Sequence, residues 1–350
     1  MKSSTRKIIL YSTIGFVLIL AATAATAFWM VVLQDNVNLT EDEKDYLYVA
    51  TGSDYVDLLE NIASSNLLKN PRTFAWLAQR KNLPAHINPG RYELTGGMSN
   101  NELIDMLRSG KQSPLNVVFN NLRTVEQLAG VIGKQIEADS TSIINYVQSA
   151  DFRNRYGLTI ETAPALFIPN TYEFYWNTTA EGFVDRMNRE YGKFWDNQKI
   201  AQADAEGLDR VQVSTLASIV EKETNRNDEK ATIAGVYLNR LRQGWRLQAD
   251  PTAVYAFYRQ TDSLLNRVYR IHTQIDSPYN TYLNDGLPPG PICIPSASSL
   301  LAVLNAEKHD YMFFVARPDG SGYHEFARTY RQHLNNAQAH YRAINKRNKN

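Results

Sequence analysis

Leu216-Ala217-Ser218-Ile219-Val220-Glu221-Lys222-Glu223-Thr224 carries the densest signal in this 350-residue chain. Its apolar residues recur with a helical period. With Glu223 set at zero and 100° per residue, Leu216 lies at about 20°, Ile219 at about −40° and Val220 at about 60°. Glu223 therefore continues the apolar stripe, while Glu221, at about 160°, lies on the other side. The two carboxylates do not face each other, which argues against a paired-carboxylate site within this helix. A carboxylate on an apolar stripe is stripped of water, which favours its neutral form and raises its pKa by roughly 1–3 in partly buried cases. A carboxyl group protonated near neutral pH is a general acid. The plainer alternative, that Glu223 points to water at the helix end or pairs with Arg226, stays open.

Outward from this helix, a second one is expected over 228–243, stopped by Gly244. Gln248, Asp250 and Thr252 then read as a short loop. Tyr279-Asn280-Thr281-Tyr282 sits in the segment Asp276 to Ser298, which holds five of the 13 prolines; a long loop of this kind is usually functional. Hydroxyls, amides and aromatic rings together are what a saccharide cleft needs. Tyr311 to Ala316 reads as a buried strand, Pro318-Asp319-Gly320 as a turn, and Tyr323 to Ala327 as the hairpin partner. Residues 329–345 read as a helix and 346–350 as a frayed tail.

Upstream, Tyr46 to Ala50 reads as a strand. Ser53 is placed to cap a helix through Asn61, and Phe74, Trp76 and Leu77 mark a second short helix. Arg91 to Thr95 is a strand. Ser99 to Glu102 is a capping box opening a helix that Gly110 closes. Residues 45–113 thus form one small α+β module. Leu115 to Phe119 is a strand, and Thr124 to Gln127 is a second capping box. The fold class is α+β.

Ile8 to Leu33 is a run of 26 positions without a charge, and a helix needs about 20 to cross the hydrocarbon. Lys2, Arg6 and Lys7 precede it; Asp35, Glu41, Asp42 and Glu43 follow it. The positive-inside rule keeps the N-terminus in the cytoplasm and exports the rest from the inner membrane as a single-pass protein. The competing reading is a cleaved signal peptide, with small-residue sites between Ala21 and Ala27. Residues 35–44 read as a linker.

Composition excludes several classes. Lys and Arg number 37 against 36 Asp and Glu, so no nucleic-acid partner is expected. A single cysteine, Cys293, forms no disulfide within the chain and no thiolate metal cluster; it is a nucleophile only if a histidine approaches it. His324 to Arg328 begins like a zinc-protease motif but has Arg at the second ligand position. There is no Walker loop, no G-x-G-x-x-G and no G-x-S-x-G. No metal and no cofactor are expected.

Leu216 to Thr224, Tyr237-Leu238-Asn239-Arg240-Leu241, Leu247 to Thr252, Tyr279 to Tyr282, Gly286 to Ile292 and Tyr311 to Ala316 together resemble the MltG, or YceG-like, family. Order and spacing agree over roughly residues 40–340. These are membrane-anchored endolytic transglycosylases of bacterial peptidoglycan. The resemblance implies a cytoplasmic tip and anchor over 1–34, a LysM-like α+β domain over 45–113, and a larger mixed α/β catalytic domain over 114–345 with a helical lytic-transglycosylase-like site. It implies Glu223 as the catalytic residue. Gln248, Asp250, Thr252, Tyr279, Asn280, Thr281 and Tyr282 would bind the glycan, supported by Glu221, Asn239 and Arg240.

The implied reaction cuts the β-1,4 bond between N-acetylmuramic acid and N-acetylglucosamine within strands. It leaves 1,6-anhydro ends and terminates or trims nascent strands. The implied partners are peptidoglycan strands, the membrane through residues 8–33, and peptidoglycan synthases as candidates. Two rivals remain: a non-enzymatic wall-binding scaffold, and a hydrolytic muramidase with Asp250 or Glu221 as its second carboxylate. Three places depart from the family pattern. Asn170 stands for Asp in Ile168-Pro169-Asn170-Thr171-Tyr172, Pro164-Ala165 replaces Glu-Gly, and Thr329-Tyr330-Arg331-Gln332-His333-Leu334 replaces T-x-x-E-H-N.

Overall fold

A computed structural model describes residues 2–265 and 267–347. The chain divides into two compact units, Met1–Asn116 with Glu173–Thr178, and Val117–Tyr172 with Thr179–Asn350.

The first unit opens with helix α1 (Lys2–Phe28), continued by a π-helical turn, Trp29–Leu33. Among the described residues one helix, Lys7–Leu33, is long and apolar enough to cross a membrane. Then come β1 (Lys44–Val49), α2 (Tyr55–Ser65), α3 (Pro71–Arg80), β2 (Gly90–Thr95) and α4 (Asn100–Ser109). β1 and β2 pair antiparallel, Lys44 opposite Thr95 and Val49 opposite Gly90. Alternation turns Leu47, Val49, Tyr92 and Leu94 inward against Leu58, Ile62, Phe74, Leu103 and Leu107.

The cap of α2 is one residue later than expected. Asp54, not Ser53, accepts from the Val56 and Asp57 amides, and Asp57 returns a bond to the Asp54 amide. An acid at N3 makes the box reciprocal from Asp54 but not from Ser53. The box at Ser99 and Glu102 forms as read, and Gly110 ends α4 at φ +68°.

Asp35 and Val37, in the stretch read as a linker, bridge to Ser99 and Leu68. Val32 and Val37 are buried in this unit's core.

The second unit contains α5 (Val125–Ile132), α6 (Ser140–Gln148), α7 (Ala150–Tyr156), α8 (Ala180–Phe194), α9 (Asn197–Ala205), α10 (Arg210–Glu223), α11 (Lys230–Arg242), α12 (Asp250–Thr261) and α13 (Ala297–Leu304). A hairpin of β5 (Phe313–Ala316) and β6 (His324–Ala327) and the final helix α14 (Tyr330–Arg347) complete it. Two short strands, β3 (Leu115–Phe119) and β4 (Asn170–Phe174), pair with each other. Thr124 caps α5, but the Gln127 side chain accepts from the Arg123 amide rather than from Thr124, so the second box closes one residue early.

α10 is the central helix, and every residue from Val213 to Val220 is buried. α9, α11, α12 and α13 pack around it, which is the situation of a helix with no solvent face. Its hydroxyls are spent internally: Ser214, Thr215 and Ser218 donate to the carbonyls of Arg210, Val211 and Thr215. β5 starts two residues later than the expected strand and is half-buried rather than buried; Met312 just before it is buried. Lys346 and Arg347 extend α14 instead of fraying; the rest of the expected tail, 348–350, lies outside the described residues.

Candidate active site

α10 ends at Glu223, and Thr224 leaves it in extended conformation. The carboxyl group therefore projects from the last turn into a cleft of about 380 Å³. α11 supplies Tyr237 and Arg240, one turn apart. Asp250 comes from the start of α12, and Gln248 and Tyr282 from the loops beside it. β5 adds Phe313 and Phe314, and α14 adds Tyr330, His333 and Tyr341.

Tyr237 donates its hydroxyl to Glu223 Oε1. Burial pushes the Glu223 carboxyl up to about 7, and the Asp250 charge adds to this; the Tyr237 hydrogen bond and Arg240 oppose it. Burial, with the Glu223 charge beside it, holds the Tyr237 phenol well above its ordinary value. Asp250 Oδ1 accepts from the Tyr282 hydroxyl at 2.6 Å, and burial together with that bond keeps the Tyr282 phenol protonated. Arg240 is committed to the backbone: Nε donates to the Met312 carbonyl at 2.9 Å and Nη1 to that of Leu247. Glu223 is not paired with Arg226, which donates to the Ser321 carbonyl at 2.6 Å and lies over Tyr323.

Of the residues expected around Glu223, the fold brings Gln248, Asp250, Tyr282 and Arg240 into the cleft. Asp250 and Thr252 sit in the first turn of α12 rather than in a loop, because Pro251 at the second helical position suits a helix start. Thr252 and Thr281 are buried behind the cleft with hydroxyls 2.8 Å apart. Thr281 accepts from the Ala249 amide and, through its carbonyl, from that of Gln248. Gln248 holds a left-handed φ of +47°, a conformation that costs a non-glycine residue and is kept only where the surroundings impose it. Asn280 is buried, its amide donating to the Thr273 and Ile275 carbonyls. Tyr279 packs edge-on against Tyr255 at 4.8 Å. These four residues build the loop and are not among the cleft's lining.

Glu221 and Asn239 face elsewhere. Glu221 accepts from Lys230 at 3.1 Å and from Ser296 and Ser299. Burial pulls its pKa upward, but the bonds from Ser296, Ser299 and Lys230 outweigh that and lower it. Asn239 donates to the His309 and Tyr311 carbonyls at 2.7 and 3.0 Å. Cys293 is buried, its thiol pushed up to about 12 by burial, and it contacts the Ser218 carbonyl instead of a histidine. His324 lies in the hairpin and meets Glu229 at 2.9 Å. Asn170 opens its strand, exposed, and bonds the Thr171 amide; Pro164 and Ala165 are buried in a 3₁₀ turn.

Six lining residues carried no assigned role in the sequence reading: Tyr237, Phe313, Phe314, Tyr330, His333 and Tyr341. A signal for three was present. Tyr330, His333 and Tyr341 lie three and eleven positions along one helix, about −60° and 20° from the first, and so share a face. Tyr237 stood inside a quoted block, but nothing local says that a tyrosine on one helix meets a glutamate on another.

The model of the YceG-like family matches residues 47–339. An endolytic murein transglycosylase of Streptococcus pneumoniae is 28% identical over 340 residues, covering 87% of this chain and 60% of the relative. The chain thus spans about three fifths of that relative's length. An endolytic murein transglycosylase of Bacillus subtilis is 26% identical over 309 residues, covering 84% of this chain and 83% of the relative. The crystal structure of a yceG-like protein from Listeria monocytogenes, 26% identical, superposes with a TM-score of 0.55 over 84% of this chain and 98% of that one.

Proposed function

The chain belongs to the YceG-like family, and from that premise we propose that it is an endolytic lytic transglycosylase of peptidoglycan with Glu223 as its acid and base. The observation that carries this is a half-buried carboxyl group, accepting from Tyr237 and pushed toward a neutral pKa by loss of solvent, in a cleft lined by aromatic and polar side chains.

A glycosidase normally needs two carboxyl groups, one acid and one nucleophile or base. A lytic transglycosylase manages with one. Glu223, protonated, gives its proton to the glycosidic oxygen as the bond to C1 of the muramic residue breaks. The acetamido group stabilises the positive charge at C1. Glu223, now a carboxylate accepting from Tyr237, takes the proton of the C6 hydroxyl, whose oxygen bonds to C1. The end formed is a 1,6-anhydro ring, and no water is consumed. Gln248, Asp250 and Tyr282 orient the sugars; positioning of this kind is worth several kcal/mol.

The order β1–α2–α3–β2, with an antiparallel pair, supports a LysM-like reading of residues 45–113. Lys2, Arg6 and Lys7 before the apolar run, and the acidic residues after it, support an N-terminus in the cytoplasm and a catalytic part outside. An enzyme so anchored is placed to cut strands near the membrane as synthases extend them.

The test is digestion of purified peptidoglycan by the full chain in detergent beside its Glu223→Gln variant, with products weighed. Anhydromuramic ends from the parent and none from the variant are expected. Reducing ends would replace this reading with a muramidase in which Asp250, in the same cleft, is the second carboxylate. Bound but uncut glycan would replace it with a scaffold.

A further inference from the structure

His333 is a titratable lining residue whose chemistry the proposed reaction leaves unused. It sits in the first turn of α14, one turn after Tyr330. Its ring lies nearly parallel to Phe313, with centroids 5.3 Å apart and an interplanar angle of 22°. Among the described residues that line the cleft, its Nδ1 is the one buried side-chain nitrogen or oxygen with no hydrogen-bond partner. Three neighbouring polar side chains are engaged: Tyr237 by Glu223, Tyr282 by Asp250, and Arg240 through Nε and Nη1 by two carbonyls.

Burial, with the Arg240 charge nearby, lowers the His333 pKa and favours the neutral ring. A neutral imidazole has one N–H and one lone pair. Orphaned buried N–H groups are rarer in folded proteins than under-used acceptors. The hydrogen is therefore assigned to Nε2, leaving the shielded Nδ1 as the lone pair. Since the Nδ1 edge is closed to solvent and the ring still lines the cleft, the edge presented to a ligand is that of Nε2.

We infer that His333 is a sugar-contacting residue, donating its Nε2–H to an acceptor oxygen of the saccharide bound beside Glu223. The strongest neutral acceptor on such a glycan is the acetamido carbonyl, which makes it the expected partner. Stacking on Phe313 fixes the ring plane and so the direction of the donor. The inference rests on the transglycosylase reading for the identity of the ligand, and on the cleft alone for the donor.

The experiment measures binding of short peptidoglycan strands to the full chain carrying Glu223→Gln, so that cleavage does not enter. Three further variants are compared in that background. Gln offers an amide N–H near the place of Nε2; Asn offers one near Nδ1; Phe keeps the ring and the stacking but has no donor. His333→Phe and His333→Asn are expected to weaken binding about tenfold, the usual effect of one lost hydrogen bond, and His333→Gln to restore most of it. In the otherwise unaltered chain the same order is expected in KM.

Binding by His333→Phe equal to the parent would show that the ring only fills space and would overturn the inference. Loss by His333→Gln as large as by Phe would overturn the assigned donor. Unchanged melting temperatures separate these outcomes from misfolding, and Asn serves if Phe fails to fold. Glycan bound in this pattern without anhydro products from the parent would overturn the proposed reaction and leave the contact standing. No glycan bound by any form would overturn both.

Discussion

Glu223 owes its chemistry to being where a carboxyl group is badly solvated. Its value in the folded chain, about 7, lies above its ordinary 4.5. The folded state therefore holds a proton between these values that the unfolded state has lost. Its stabilising contribution is complete below about 4.5, declines as pH rises, and is gone above about 7. The gap is worth roughly 3 kcal/mol. Glu223→Gln has no charge to bury, so at pH 8 the second unit of the variant should be more stable than the parent by up to about that amount. At pH 4 the two should be nearly equal. Thermal melting of both proteins at the two pH values checks this; a gap that does not change with pH would mean that the carboxyl group is not desolvated in the folded chain. In the proposed reaction the first proton transfer needs the protonated acid, so activity should fall as pH rises through about 7.

At the scale of the element, α10 must end in a fixed place for Glu223 to meet Tyr237. Two residues before it, Glu221 ties the last turn of α10 to Lys230 at the start of α11 and to Ser296 and Ser299 at the cap of α13. The Lys230 ammonium is nearly enclosed, its side chain 5% exposed. Glu221→Ala would leave that charge buried and unpaired, a loss of roughly 3–5 kcal/mol. The double variant Glu221→Ala, Lys230→Met should recover much of it, because the charge that needed a partner is gone. Denaturation of the single and double variants measures this, and additive losses would show that the two side chains act independently. The same cluster explains why Glu221, although in the adjacent motif position, is not beside Glu223: its side of the helix faces α11 and α13.

At the scale of the molecule, the apolar N-terminal run is longer than a membrane needs, and the structure gives its end a second use. Ile8 to Phe28 alone supplies about 20 residues, enough to cross the hydrocarbon. Trp29–Leu33 instead meets the small unit: Val32 is buried in its core, and the Val31 carbonyl accepts from the buried Asn100 side chain at 2.8 Å. A chain beginning at Gln34 should lose roughly 1.5–3 kcal/mol from the small unit through Val32, and more through the Asn100 N–H left without the Val31 carbonyl while the Thr73 hydroxyl still accepts from the same amide, relative to one beginning at Trp29. Comparing their melting temperatures decides it; identical melts would make the last turn of the apolar run irrelevant to this unit.

What the residues determined alone were the features that depend on local order. These are the length of the N-terminal apolar run, the capping box at Ser99, the stop at Gly110, the hairpin around Pro318-Asp319-Gly320, and the apolar stripe that ran into Glu223. Each is set within a few turns of chain by period, cap or backbone preference. Six ordered blocks also sufficed to mark the family. The tertiary structure decided which polar residues of those blocks reach the cleft. Gln248, Asp250 and Tyr282 line it, while Thr252, Asn280 and Thr281 are turned inward to satisfy the backbone of their own loops and Tyr279 packs against Tyr255. It also brought Tyr237, His333 and the aromatic wall to Glu223 from α11, α14 and β5. The reason is physical: a side chain's direction relative to its own helix or loop is local, but what lies opposite depends on how separate elements pack. That packing was settled by burying α10 on all sides, which left its terminal carboxylate to face whatever the surrounding elements presented.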